Sequence, residues 1–189
     1  LSRVKSQYKL PDDFFFFLGN TDPKKNTKGV LKAYSDFRKK STDDYKLVML
    51  DYDEEELMKL LAEIGDKALR EHIILTGYVI NTDLPAIYSL CNIFLYPSLR
   101  ESFGIPMLEA MRCGVPVITS NTSSMPEVSG DGALFVDPYK PAEITEAIFK
   151  IQGDNEFRDI LIEKGLKRSE KFSWKNMAID VLKLYENFA

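Results

Sequence analysis

Tyr96-Pro97-Ser98-Leu99-Arg100-Glu101-Ser102-Phe103-Gly104-Ile105-Pro106-Met107-Leu108-Glu109-Ala110-Met111-Arg112-Cys113-Gly114-Val115-Pro116-Val117-Ile118-Thr119-Ser120 carries the end of one strand signal, a loop, a helix and a second strand. The apolar run Ile93 to Tyr96 reads as a buried strand that breaks at Pro97-Ser98. A helical pattern begins near Gly104 to Pro106 and stops at Cys113-Gly114, and Val115 to Thr119 reads as the next strand. A strand–loop–helix–strand unit of this kind sets the loop at the carboxyl edge of a parallel sheet, where open α/β folds take their ligands.

Two carboxylates mark the unit, Glu101 and Glu109. Positions eight apart on one helix, at about 100° each, would differ in direction by roughly 80°. The pattern instead assigns Glu101 to the loop and Glu109 to the helix. Between them Phe103, Gly104 and Ile105 offer backbone N–H groups at a helix N-terminus, whose partial positive charge favours an anion such as a diphosphate. Gly104 lets an anion approach the main chain closely. A carboxylate beyond that anion can accept hydrogen bonds from ribose, and one in the loop can accept them from a sugar. The arrangement of acids allows this without demanding it.

Glu101-Ser102-Phe103-Gly104, then Glu109-Ala110-Met111, then Gly114-Val115-Pro116-Val117-Ile118, resembles the paired-glutamate motif of the large retaining glycosyltransferase family called group 1, or family 4, of GT-B architecture. The resemblance runs from about Phe14 to Val136 and loosely to the end of the chain. It implies the C-terminal half of such an enzyme, which binds the nucleotide sugar, with an N-terminal acceptor-binding domain missing from this chain. Group 1 enzymes usually carry a Gly-Arg pair after the first strand and a Lys further on, both on the donor diphosphate. Gly19 and Lys25 match, but Asn20 stands at the Arg position, and Lys24 is expected to supply the missing charge as a point cation.

Composition fits this implication. The 189 residues suit one domain with a full core, 44% of them being hydrophobic. The net charge of -4, from 25 basic and 29 acidic side chains, gives no basic footprint for nucleic acid. Cys91 and Cys113 have neither metal-ligand spacing nor a disulfide framework, and both sit in apolar helical contexts. A reduced, cytoplasmic setting is expected, with peripheral association of the full enzyme at the inner face of the cell membrane left open. No apolar run reaches the ~20 residues of a membrane span, no signal peptide opens the chain, and Leu1 in place of Met reads as the start of a fragment.

In chain order, Leu1 to Lys9 is an amphipathic lead-in and Phe14 to Leu18 a strand covered on both faces. A turn from Gly19 to Asn26 leads to a helix from Thr27 to Arg38. Lys46 to Leu50 is the second strand and Glu54 to Ile64 a helix. Asp51-Tyr52-Asp53 imitates a metal-binding Asp-x-Asp but is read as a helix-capping turn. His72, the only histidine, is read as structural. Ile73 to Thr76 is the third strand. After it, the resemblance implies that Tyr78 and Val79 meet the nucleotide base through main-chain groups, although Tyr78 reads equally as a half-buried aromatic. Asp83 to Leu90 is a helix capped by Thr82 or Asp83. Met125 begins a short helix whose Glu127 is read as structural, Ala133 to Val136 is the last strand, and helices follow over Pro141 to Ile151, Asn155 to Glu170 and Lys175 to Phe188. Strands alternating with helices predict an α/β, Rossmann-like, doubly wound parallel sheet.

The expected function is transfer, with retention, of a hexose from a GDP- or UDP-sugar, in polysaccharide or lipopolysaccharide assembly. Glu109 is expected on the ribose, and Lys25, Lys24 and the amides of Phe103, Gly104 and Ile105 on the diphosphate. Glu101 is expected on the transferred sugar. No cofactor and no metal are required, and the isolated domain is expected to be inactive. A non-catalytic nucleotide-binding or scaffold module and a phosphorylase-like enzyme are the alternatives. Met177, Val181, Leu182, Leu184 and Tyr185 on the last helix are read as core packing, the other reading being exposed apolar surface through which the fragment self-associates.

Overall fold

A computed structural model describes residues 1–187. The all-apolar run at Phe14 forms the first strand, β1 (Phe14–Phe17), after a short helix, α1 (Ser2–Gln7). The chain continues as α2 (Thr27–Lys40), β2 (Lys46–Met49), α3 (Glu54–Glu63), β3 (Ile73–Leu75), α4 (Leu84–Leu90), β4 (Ile93–Tyr96), α5 (Ile105–Arg112) and β5 (Val117–Ser120). It ends with α6 (Met125–Ser129), β6 (Leu134–Val136), α7 (Pro141–Gly153), α8 (Asn155–Glu170) and α9 (Trp174–Glu186). The expected end of the last helix at Phe188 lies outside the described residues.

The six strands are all parallel in the order β3-β2-β1-β4-β5-β6. The chain winds outward from β1 through β2 to β3, then returns to lay β4 on the other side of β1. The switch point therefore falls between β1 and β4, whose carboxyl ends diverge into separate loops.

Each central strand is buried on both faces, with period-two alternation deciding which residue meets which helix layer. Phe15 and Phe17 of β1 join Leu47, Met49, Ile93 and Leu95 beneath α2, α3 and α7. Phe14 and Phe16 join Val48, Phe94, Tyr96 and Val117 beneath α1, α4 and α5. Parallel pairing gives no solvent-facing side, which is why these strands read as continuous apolar runs.

Three expectations need correction. The fifth strand starts at Val117, because Val115 still closes the preceding helix. Its N–H donates to Ala110 O at 3.2 Å while Gly114 N donates to Met111 O at 3.1 Å, a Schellman ending that needs the left-handed φ of 72° at Gly114. Asp83 does not cap α4 with its side chain. The chain enters that helix through a 3-10 turn at Asn81–Asp83, and the buried Asp83 carboxylate instead accepts from Arg3 and from the Tyr8 hydroxyl at 3.0 Å. The last helix is not packed into the core: Met177, Val181, Leu182, Leu184 and Tyr185 are all exposed.

Other local readings match the structure. Asp53 Oδ1 accepts from Glu56 N at 2.9 Å, capping α3. His72 lies before β3 at the amino edge of the sheet, with Nδ1 at 3.1 Å from Lys46 Nζ. Both cysteines are free; each follows the last residue of a helix, and burial raises both thiols above the usual range.

Candidate functional site

The two loops at the switch point face each other across the carboxyl edge. In the first, Asn20 Oδ1 accepts from Asp22 N at 3.0 Å, and Asp22 Oδ1 accepts from Lys24 N at 3.0 Å, which caps the 3-10 turn Pro23–Lys25. Asn20 thus shapes the turn as an Asx link. Gly19 is buried so tightly that a Cβ there would fall 2.0 Å from the Phe17 ring, so its lack of a side chain serves packing.

Asn26 ends this turn in the left-handed region, with φ 59°, and its amide donates to Pro97 O at 3.0 Å and to Pro138 O at 2.7 Å. Leu99 N donates to Lys24 O at 2.7 Å. One side chain and one backbone bond therefore join the loops after β1, β4 and β6.

The second loop carries Glu101 and is held from β5 and the turn after it. The Ser120 hydroxyl donates to Ser98 O, Thr122 Oγ1 to Leu99 O at 3.2 Å, Ser123 Oγ to Glu101 O at 2.8 Å, and Ser124 Oγ to Glu101 O at 3.0 Å. Hydroxyls that satisfy loop carbonyls in this way fix backbone that lacks a ladder of its own.

Across the crevice Lys25 Nζ lies 2.6 Å from Glu101 Oε1 and 3.3 Å from the Tyr96 hydroxyl, and 5.1 Å from the centre of the Tyr96 ring. Burial by itself would raise the Glu101 carboxyl, but hydrogen bonds from Lys25 and Tyr96 and the charge of Lys25 outweigh it and hold the group below its ordinary value. Burial and the neighbouring Glu101 push the Tyr96 phenol up, so it stays a donor.

The loop then enters α5 through Gly104, whose φ of 97° requires glycine. No side chain caps this helix, and Pro106 has no N–H. Among the described residues the N–H groups of Phe103, Gly104 and Ile105 have no acceptor. The first turn of α5 is thus open toward an anion, between Lys25 and the far carboxylate Glu109. Glu109 is exposed on α5, and Oε2 accepts from the buried Tyr88 hydroxyl at 3.1 Å. Burial first, then the Glu109 charge, keeps that phenol protonated.

Tyr78 is not half-buried: it is 73% exposed after β3, set apart from the switch point, while Val79 is buried in the same cluster as Tyr88 and Leu108. The Gly77 carbonyl is held by Asp51 N at 3.1 Å. An open cleft of about 360 Å³ is lined by Lys24, Arg100, Glu101, Ser102 and Ser123.

The structure therefore brings together Lys24, Lys25, Glu101, Phe103, Gly104 and Ile105, with Glu109 one helical turn further. Asn26, Tyr88, Tyr96 and the Ser120 to Ser124 hydroxyls escape motif reading. Their signal is positional: hydroxyls just past β5 adjoin the loop after β4 once the strand order is known.

Residues 2–168 match the family described as Glycosyl transferases group 1. O-antigen chain mannosyltransferase B of Escherichia coli is 36% identical over 97% of this chain and 48% of its own length. The chain thus spans about half of that relative. Among solved structures, the sucrose-phosphate synthase of Thermosynechococcus elongatus superposes with a TM-score of 0.82 at 23% identity, over 100% of this chain and 49% of that one. Anabaena HepE, solved with UDP and glucose, gives a TM-score of 0.81 at 16% identity over 98% and 51%. At such identities the likeness bears on the fold, a Rossmann-like sheet of the GT-B glycosyltransferase kind. The family match covers the paired glutamates, both loops of the switch point and the sheet that positions them, and the chain belongs to the group 1 glycosyltransferases.

Proposed function

We propose that the chain is the donor-binding half of a retaining glycosyltransferase that moves a hexose from a nucleotide diphosphate sugar to an acceptor held by a second, N-terminal domain. The observation that carries this reading is the open first turn of α5. Among the described residues three N–H groups there, those of Phe103, Gly104 and Ile105, have no acceptor, and they stand in the chain between Glu101 and Glu109, beside Tyr96, whose hydroxyl meets Lys25. The diphosphate takes the amides and Lys25. Glu109, with its far oxygen steadied by Tyr88, accepts from the ribose hydroxyls. The diphosphate displaces Glu101 from Lys25, and the freed carboxylate accepts from hydroxyls of the transferred sugar.

Catalysis in this arrangement is positioning plus stabilisation of charge on the departing diphosphate, by fixed dipoles and cations rather than by a metal or another cofactor. The similarity to an O-antigen mannosyltransferase supports mannose as the transferred sugar and a role in polysaccharide or lipopolysaccharide assembly. The Pro23-Lys24-Lys25-Asn26 string, which resembles enzymes that often use GDP-mannose, favours GDP as its carrier. The isolated chain binds donor weakly and turns over nothing.

Calorimetric titration with GDP, UDP, GDP-mannose and UDP-glucose tests the reading, repeated with Glu109→Ala and Lys25→Ala. Binding near 1 mM, about -4 kcal/mol, suffices. One nucleotide that binds, and binds less tightly to both variants, sustains the proposal. No uptake of any of the four refutes it for this chain.

A further inference from the structure

The charges in the crevice do not balance a diphosphate as the two lysines alone would require. Lys25 is matched by Glu101 at 2.6 Å, and Lys24 Nζ lies 3.2 Å from Asp22 Oδ2. Each lysine thus enters the site with a carboxylate already beside it. Asn20 contributes no charge and is engaged with Asp22 N.

Arg100 lines the cleft together with Lys24 and, among the described residues, pairs with no carboxylate. Its backbone is fixed on both sides. Leu99 is bonded through N to Lys24 O and through O to Thr122, and Glu101 exchanges bonds with Ser123 through both N and O. The exposed guanidinium is therefore a free group on an anchored stem, lining the same cleft as Lys24, Ser102 and Ser123. A guanidinium presents a planar fork of donors that fits two oxygens of one phosphate, which an ammonium cannot match.

On the donor-site reading given above, we propose that Arg100 is the principal cation for the terminal phosphate of a nucleoside diphosphate. Lys25 and the α5 amides engage the diphosphate from one side, and Arg100 reaches across the cleft to its outer phosphate, with the Ser102 hydroxyl as a neutral donor beside it. Arg100 accordingly distinguishes nucleoside diphosphates from monophosphates and offsets part of the negative charge of the leaving group. It has no counterpart role for the base or the ribose.

The test is an NMR-detected titration with GDP, GMP, UDP and UMP, which reads millimolar dissociation constants, on the unsubstituted chain and on Arg100→Ala, Arg100→Lys and Glu109→Ala. The expected result is that Arg100→Ala weakens the preferred diphosphate roughly tenfold and leaves the matching monophosphate within about twofold, with Arg100→Lys falling between. Glu109→Ala should weaken both nucleotides alike. Equal losses for mono- and diphosphate in Arg100→Ala, or no loss for the diphosphate, overturn the assignment. If Glu109→Ala weakens binding while Arg100→Ala does not, the arginine assignment alone falls. If neither diphosphate binds the unsubstituted chain at concentrations on the order of 10 mM, the donor-site reading falls with it. Arg100 is exposed and packs into no core, so its variants keep the fold, which the unchanged spectrum of the remaining residues verifies.

Discussion

Lys25 Nζ sits 2.6 Å from Glu101 Oε1, joining the loops that leave two adjacent strands at the sheet's switch point. Their side chains are only 16% and 12% exposed, so each is the main solvent of the other. A ligand-free site of this kind is locally neutral. On the proposed function, donor binding is an exchange in which phosphate oxygens take the place of a carboxylate, and free energy is needed to part the pair before any is gained.

Lys25→Ala should lower stability at neutral pH by about 1–3 kcal/mol, because it leaves a largely buried carboxylate without its donor. The loss depends on pH with a definite sign. The Glu101 value is depressed in the folded chain, so its stabilising contribution is present above the unfolded carboxylate value of about 4.3 and is lost as pH falls through the folded value. The gap between the two proteins should be full at pH 7 and shrink below about pH 4. Urea unfolding at both pH values checks this, and a gap that widens in acid would sink the account.

Tyr88→Phe removes a hydroxyl from a fully buried ring and releases Glu109 Oε2. Stability should change by about 1 kcal/mol or less. The sharper expectation concerns ribose. The preference of the chain for a nucleotide over its 2′-deoxy form should fall several-fold, as read by parallel titrations of the two ligands. An unchanged preference would separate Glu109 from the ribose.

Asn26→Ala loses two amide bonds and puts alanine, which tolerates the left-handed region less well than asparagine, at φ 59°, for a combined cost of about 2–4 kcal/mol. Asn26→Gly keeps the backbone conformation and loses only the bonds, so it should recover roughly 1 kcal/mol of that loss. Equal unfolding midpoints for the two variants would mean that the backbone angle contributes nothing.

Replacing Leu182 and Leu184 with Gln should leave the fold's stability within about 0.5 kcal/mol, since both are exposed on α9. Any self-association of the chain at high concentration should weaken in the same variant. Sedimentation over a range of concentrations reads this. A loss of several kcal/mol would mean that the helix face is packed after all.

The sheet was legible because its strands are buried on both faces and announce themselves as apolar runs, Phe14 to Phe17 most plainly. The placement of Glu101 in the loop, of Glu109 on the helix and of Gly104 at the mouth of α5 was legible because helix-start chemistry is local, whereas the pairing of the two acids came from the family motif. Asn26 and the hydroxyls from Ser120 to Ser124 were not, since their partners are distant in sequence: Pro138 lies on the loop after β6, and the carbonyls of Ser98 to Glu101 on the loop after β4. Only the order of the strands brings such groups together. The outward face of α9 misled for a related reason. Helical spacing of apolar residues says that a face wants cover, and says nothing about which chain provides it.

The amide of Asn26 reaches the loops of two other strands, so the loops after β1, β4 and β6 are one mechanical piece whose members cannot drift apart singly. Tyr78, at the far edge of the sheet, shares none of those bonds. On the proposed function, the recognition surface is thereby divided into a fixed charge-handling block and an independently variable margin. A lineage could exchange one nucleobase for another at the margin by altering a few exposed side chains, and the block that handles the leaving group would go on working unaltered.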